Sequence, residues 1–244
     1  MSAGGGGAMD RWYRERLEPM RHRLAHGLLR EHLARYRWVA DGLRGRVLDA
    51  GCGTGYGSLI LASSPRVREV LGVDADSRAI AHARRFYGSP RVGFLHLDVA
   101  SDAAQALGCF DGVVCLEVLE HLERPERLLA SLHLLLAPGG RLWISTPLGR
   151  GRAVPSAQEG HRFQLRRDEF ERLLAGRFRL RLYGQKGEGI EPWRRGARYF
   201  LMLACCEART DAGAAGAKRA AGAGRTVHRS QGTTPREAPC ATSR

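Results

Sequence analysis

The residues of this chain best suited to chemistry lie in Val47-Leu48-Asp49-Ala50-Gly51-Cys52-Gly53-Thr54-Gly55-Tyr56-Gly57-Ser58. An apolar run ends in an acid, glycines follow at alternate positions, and a helix start comes next. Glycine at such a bend permits positive φ and lets a ligand lie directly on the main chain. Asp74 closes the next apolar run, Leu71-Gly72-Val73. It falls about 20 residues past the loop, where a nucleotide-binding βαβ unit places its ribose-binding acid. A bare strand-to-helix turn without a ligand is the plain alternative, and it leaves Asp74 without a role.

The carboxylate within the loop discriminates between nucleotides. Asp49 is expected at the carboxyl end of the first strand, beside any bound ligand. A dinucleotide would bring a doubly charged pyrophosphate there, and the two would repel. S-adenosylmethionine has no phosphate; it carries an ammonium and a sulfonium, and both favour an anionic neighbour. The order acid-Gly-x-Gly-x-Gly therefore points to S-adenosylmethionine.

A second polar group follows in Glu117-Val118-Leu119-Glu120-His121-Leu122, with His161 later in Glu159-Gly160-His161-Arg162-Phe163. If Glu117 opens a helix, spacings of three and four put Glu117, Glu120 and His121 on one side of it. Two carboxylates and two imidazoles also make a chemically sensible divalent-cation set. A purely structural role for His121 and His161, in capping or hydrogen bonding, stands beside a catalytic one.

With these motifs the chain resembles the class I S-adenosylmethionine-dependent methyltransferases. The resemblance spans roughly Tyr36 to Cys205. It includes Leu97-Asp98-Val99, Phe110-Asp111-Gly112-Val113-Val114, the Glu117–Leu122 run and Leu136-Ala137-Pro138-Gly139-Gly140-Arg141-Leu142, in the family's order. It implies S-adenosyl-L-methionine as cofactor. Asp49 and the backbone at Gly51 and Gly53 would face its methionine part, with Cys52 and Gly55 completing the loop. Asp74, with Ala75 beside it, would take the ribose. Asp98 and Val99 would take the adenine edge, and Leu116 and Glu117 would border the methionine end.

For the second group the resemblance implies two readings. Small-molecule methyltransferases carry similar Glu-x-x-Glu-His runs at the pocket rim without metal, and a later histidine can approach the acceptor. A family of small-RNA 2′-O-methyltransferases binds a divalent ion with a similar run and a downstream histidine. We expect the first, with His161 and His121 as candidate catalytic residues and no metal ligand. Arg35-Tyr36, the Gly55–Ser58 turn and Tyr183-Gly184-Gln185 resemble bacterial small-molecule methyltransferases, some of which act on glycans. The expected acceptor is a hydroxyl of a sugar or metabolite. The alternatives are an RNA 2′-O-methyltransferase with a divalent ion at Glu117, Glu120, His121 and His161, and a non-catalytic cofactor-binding partner subunit.

Composition narrows the field further. The 244 residues suffice for one α/β domain with extensions. A formal net charge of +14 suggests nucleic acid or an anionic membrane as partner. Lysine occurs only at Lys186 and Lys218, however, and much of the arginine excess lies towards the two ends, so a generally basic surface is the preferred reading. The cysteines show no C-x-x-C pair and suggest neither zinc nor a disulfide framework. The start of the chain lacks the basic and apolar regions of a signal peptide, and no apolar run has the length of a membrane span. A cytoplasmic protein is expected.

The elements that must position these residues alternate. Strands are predicted at 46–50, 69–74, 92–97, 110–116 and 141–145, and helices at 56–62, 77–87 and 125–136. This order gives a doubly wound, mostly parallel α/β sheet. A helix at 168–174 and strands at 178–183 and 197–205 follow; the resemblance makes these strands the final hairpin of a seven-stranded Rossmann-like sheet. Residues 1–9 are expected to be disordered. Residues 10–45 should form a helical cover, with leucines at helical spacing and a break at Pro19. There Arg35-Tyr36 reads as a packing surface before a ligand contact, and His22, His26 and His32 read as solvated. The methyltransferase domain is expected over 46–206, and a disordered basic tail over 207–244, where large apolar residues nearly vanish. Trp193, Arg194 and Arg195 lie in the final loop, on either a plain surface or the acceptor side.

Overall fold

A computed structural model describes residues 27–209. The glycine-rich start, Pro19, His22, His26 and the segment from 210 onward lie outside the described residues. The first described element is helix α1 (Gly27–Gly42). After it come β1 (Gly45–Ala50), α2 (Tyr56–Ala62), β2 (Val67–Asp74), α3 (Ser77–Tyr87), β3 (Val92–His96) and β4 (Phe110–Leu116). The chain continues through α4 (Pro125–Leu134), β5 (Leu136–Pro147), β6 (Gly151–Pro155), β7 (Phe163–Gln164) and α5 (Arg167–Ala175). It closes with β8 (Phe178–Lys186), β9 (Gly189–Pro192) and β10 (Leu201–Ala208).

The main sheet has eight strands in the order β3-β2-β1-β4-β5-β10-β8-β9, and β6 pairs with β7 in a separate two-stranded ribbon. Strands β3 to β5 run parallel, whereas β10 lies antiparallel between β5 and β8. The order reverses between β1 and β4, and this opens a crevice at their carboxyl ends, where ligands of open α/β sheets bind. Side chains alternate across the strands. Leu48, Val113, Cys115 and Ile144 pack with Leu128, Leu132, Phe170 and Leu174 of α4 and α5. Val47, Val114 and Leu116 pack with Leu33 and Val39 of α1, Leu61 of α2 and Ile80 of α3. Both faces are covered, so the central strands read as continuous apolar runs. Leu48 is fully buried, and Leu48→Ala would cost about 2–5 kcal/mol.

The sheet has one strand more than the seven expected. The extra strand is β9, a short edge partner of β8. Residues 197–200 are loop rather than strand. Strand β10 runs on through Glu207 and Ala208, and Glu207 pairs with Arg141 at 3.1 Å, so the ordered domain passes the boundary placed at 206. Strand β5 begins at Leu136 instead of Arg141. Phe110 pairs with Leu136 and Gly112 with Arg141, so Pro138-Gly139-Gly140 loops out as a bulge within the strand.

Candidate active site

The glycine loop joins β1 to α2. Gly55 caps the helix at φ 95°, and a Cβ there would lie 2.6 Å from Ala83 Cβ, so no larger residue fits. Gly57 presents bare backbone to the Tyr36 ring, which a Cβ would meet at 2.1 Å. The loop is pinned from below: the Gly51 and Cys52 N–H groups donate to the Val73 carbonyl at 2.8 and 3.0 Å.

Asp49 lies beneath the loop, wholly buried. Its carboxylate accepts from Ser58 Oγ at 2.7 Å and from the Tyr36 hydroxyl at 3.4 Å. Burial pushes its pKa up to about 7, against the pull of these hydrogen bonds, and the Asp74 charge adds to the rise. A cation at the loop would relieve that penalty; a pyrophosphate would worsen it. Asp74 ends β2, and one of its oxygens accepts from Gly53 N–H at 2.8 Å, the other from Asp76 N–H at 2.9 Å. The Ala75 carbonyl meets His96 Nε2 at 3.0 Å. Beyond β3, Asp98 is exposed and accepts from Ala100 N–H, while Val99 is buried. Leu116, buried, ends β4. The structure thus gathers Asp49, Asp74, Asp98 and Leu116 at or just past the carboxyl ends of four adjacent strands.

Glu117 departs from expectation. It opens no helix: at φ 54° it is the one non-glycine residue with positive φ among the described residues. The Ser145 carbonyl and hydroxyl both accept from its N–H, each at 3.2 Å. A backbone conformation of this kind is strained and persists only where its surroundings enforce it. The turn throws the Glu117 carboxylate onto α1, where it pairs with Arg35 Nη1 at 3.0 Å and with His32 Nε2. Burial alone would raise the Glu117 pKa, but His32 and Arg35 outweigh it and hold the carboxyl well below the usual range. His32 is therefore a half-buried partner of Glu117 and of the Tyr56 hydroxyl (3.1 Å), not a solvated side chain. Arg35 is 1 % exposed, and its Nε meets no acceptor among the described residues.

Glu120 and His121 sit on a short 3-10 turn, Leu119–His121, so the three side chains do not share a helix face. Glu120 is buried and accepts from Thr146 Oγ1 at 3.0 Å, while its other oxygen has no partner among the described residues. Burial first, then the Glu117 charge, pushes its carboxyl up to about 8. His121 is exposed, and its Nδ1 lies 2.9 Å from the Gly160 carbonyl. His161 meets the His121 ring edge to face at 4.8 Å between centroids. Burial and His121 lower the His161 pKa below its ordinary value, and its buried Nδ1 has no partner among the described residues. Ligand atoms of Glu120, His121 and His161 lie within 4.8 Å of one another, and Glu117 is not among them. Trp193 packs on Tyr199 at 4.7 Å and beneath the Arg167 guanidinium, while Arg194 and Arg195 are exposed.

Comparison with known proteins identifies the family and the fold. The family model described as "Methyltransferase domain" matches residues 10–181. A ubiquinone biosynthesis O-methyltransferase of Aromatoleum aromaticum is 39 % identical over 108 residues, which are 43 % of this chain and 45 % of that protein. A protein of Mycolicibacterium smegmatis named a probable S-adenosylmethionine-dependent methyltransferase is 37 % identical over 123 residues, 48 % of this chain and 44 % of its own length. The chain thus spans less than half the length of each of these two relatives. Among solved structures, the N-methyltransferase NodS of Bradyrhizobium japonicum WM9 in complex with S-adenosyl-L-homocysteine superposes with a TM-score of 0.58 at 21 % identity. The match covers 83 % of this chain and 98 % of that one, and it shows a shared fold.

Proposed function

This chain belongs to the S-adenosylmethionine-dependent methyltransferases, and on that premise we propose that it methylates a hydroxyl of a sugar or small metabolite. The supporting observation is the placement of His161, held below its ordinary pKa next to His121 and Glu120 of the turn that follows β4, the strand beside the one that carries Asp49. Under this reading Asp74 takes the ribose hydroxyls, with Ala75 alongside, and Asp98 and Val99 border the adenine. Gly51, Cys52, Gly53 and Gly55 give bare backbone to the methionine part, and Leu116 and Glu117 close its far side. Asp49 supplies the negative field. Arg35 is a further member: its buried Nε, without an acceptor among the described residues, suits the cofactor's carboxylate. When bound, S-adenosylmethionine supplies a methyl group already activated on a sulfonium. The chain's own part is to align the acceptor, exclude water and remove one proton. A neutral His161 receives that proton from the acceptor hydroxyl. The ubiquinone relative is an O-methyltransferase by name, in keeping with an oxygen acceptor. Among the described residues no helix is long and apolar enough to cross a membrane.

Turnover with labelled S-adenosylmethionine and a panel of sugar and metabolite alcohols tests the proposal. His161→Ala is expected to lower turnover by about 10²-fold or more, with unchanged affinity for S-adenosylhomocysteine. A second reading rests on the convergence of Glu120, His121 and His161, with one Glu120 oxygen and His161 Nδ1 unpartnered among the described residues. Imidazole and carboxylate donors fit a divalent ion, and that set would accompany an RNA 2′-hydroxyl acceptor. Elemental analysis of purified protein distinguishes the two readings.

A further inference from the structure

The ribbon β6–β7 frames a cavity of about 330 Å³ that the cofactor and base assignments leave unused. Arg150, Val154, Pro155, Ser156, Gln158 and Gln164 line it. Its place in the fold is informative. Arg150 follows the carboxyl end of β5, and Gly149 N–H ties that end to the Leu165 carbonyl at 2.9 Å. The Gln158 carbonyl accepts from His161 N–H at 3.2 Å, so the cavity wall and the candidate base belong to one turn of chain.

The polar groups in the wall are already arranged. Gln164 Nε2 donates to Gln158 Oε1 at 3.2 Å. That bond leaves the Gln158 amide N–H groups and the Gln164 carbonyl to face a ligand, a donor and an acceptor side by side. The Ser156 hydroxyl accepts from Gln158 N–H at 3.1 Å and keeps its own proton to donate. Such a set matches hydroxyl groups, which both donate and accept.

Arg150 adds charge. The other arginines of this segment are neutralised within the chain. Arg152 pairs with Glu126, Arg162 with Glu123, Arg166 with Asp168 and Glu169, and Arg167 with Glu171. Arg150 alone of these has no carboxylate partner among the described residues. An unpaired guanidinium fork at a polar cavity is suited to a phosphate or carboxylate, which it can engage with two parallel hydrogen bonds.

We propose that this cavity is an acceptor subsite for a hydroxylated molecule bearing an anionic group, phosphate or carboxylate, with Arg150 as the anion's partner and Gln158, Gln164 and Ser156 as the hydroxyl partners. The proposal rests on the hydroxyl-acceptor reading and narrows it.

Calorimetry on protein saturated with S-adenosylhomocysteine tests it, with glucose 6-phosphate, glucuronate and methyl glucoside as probes. At least one anion is expected to bind, and at least ten-fold more tightly than methyl glucoside; which of the two prevails tells phosphate from carboxylate. Arg150→Met is expected to weaken that anion at least ten-fold and to leave S-adenosylhomocysteine affinity unchanged, which also reports that the variant is folded. Gln164→Ala is expected to weaken both the anion and methyl glucoside. Equal binding of methyl glucoside and the anions, or unchanged anion affinity in Arg150→Met, overturns the role of Arg150 while hydroxyl methylation stands. Absence of binding by all three probes overturns the subsite, and turnover on another alcohol in the panel would show that the broader reading survives it.

Discussion

Arg35 of α1 and Glu117 of the β4 exit form a largely buried ion pair at 3.0 Å, which joins the helical cover to the one non-glycine residue with positive φ among those described. Its removal should be felt in stability. Breaking a buried pair from one side strands the other charge, at about 3–5 kcal/mol. Arg35→Met is expected to fall near the low end of that range, because the Glu117 carboxylate keeps His32 as a partner and its side chain keeps 18 % exposure. The double variant Arg35→Met, Glu117→Met is expected to regain part of the loss. Urea unfolding of the single and double variants measures both, and additive losses would mean that the two side chains do not interact.

The ribose assignment of Asp74 has its own test. Asp74→Ala removes a carboxylate that both receives the Gly53 N–H and faces the proposed ribose position. Affinity for S-adenosylhomocysteine is expected to drop by about 1.5–3 kcal/mol, the worth of a charge-assisted hydrogen bond. Calorimetry reads it directly, and an unchanged affinity would remove Asp74 from the site.

Asp49 gives a pH dependence of defined sign. Its pKa rises from the ordinary 3.8 to about 7 on folding. Between those values the folded chain holds a proton that the unfolded chain has lost. The Asp49 contribution to stability therefore falls as pH rises from about 4 to 7 and stays level above. In cofactor-free protein, Asp49→Asn is expected to remove this slope. Urea midpoints of both proteins at pH 4 to 8 test it; parallel curves would place the titration elsewhere.

Chelation separates the two readings of the Glu120, His121 and His161 group. With a base at His161 and no metal, turnover is expected to survive EDTA, and Glu120→Gln, which fixes the neutral form that burial already favours up to about pH 8, is expected to change the alkaline side of the pH profile rather than abolish activity. Loss of activity on chelation with recovery on manganese or cobalt, together with a stoichiometric ion in purified protein, would favour the metal reading.

The sequence made the cofactor half legible because its constraints are local. Glycine at Gly51, Gly53 and Gly55 and acids at Asp49 and Asp74 announce a backbone bend and its charges within one βαβ unit. Helices 56–62 and 77–87 fall where their periodicity and flanking turns put them. The rest depends on distant parts of the chain. The partnership of His32 and Arg35 with Glu117 is set by how α1 lies across the sheet, and no spacing encodes it. Glu117, Glu120 and His121 suggested a helix face; the Ser145 contacts and a left-handed residue redirected the first of them. Strands β6, β7 and β9 are too short to show alternation. That Arg150 has no carboxylate partner among the described residues, while Arg152, Arg162, Arg166 and Arg167 do, depends on tertiary contacts that no spacing encodes.

The packing of α1 on β5 has an optical consequence. Trp38 of the helix and Trp143 of the strand meet edge to face, with ring centroids 5.1 Å apart. Two indoles so close share their electronic excitation, and the resulting circular-dichroism couplet depends on their mutual angle. A displacement of α1 relative to β5 changes that angle. The cover thus carries a built-in spectroscopic gauge, readable without a label.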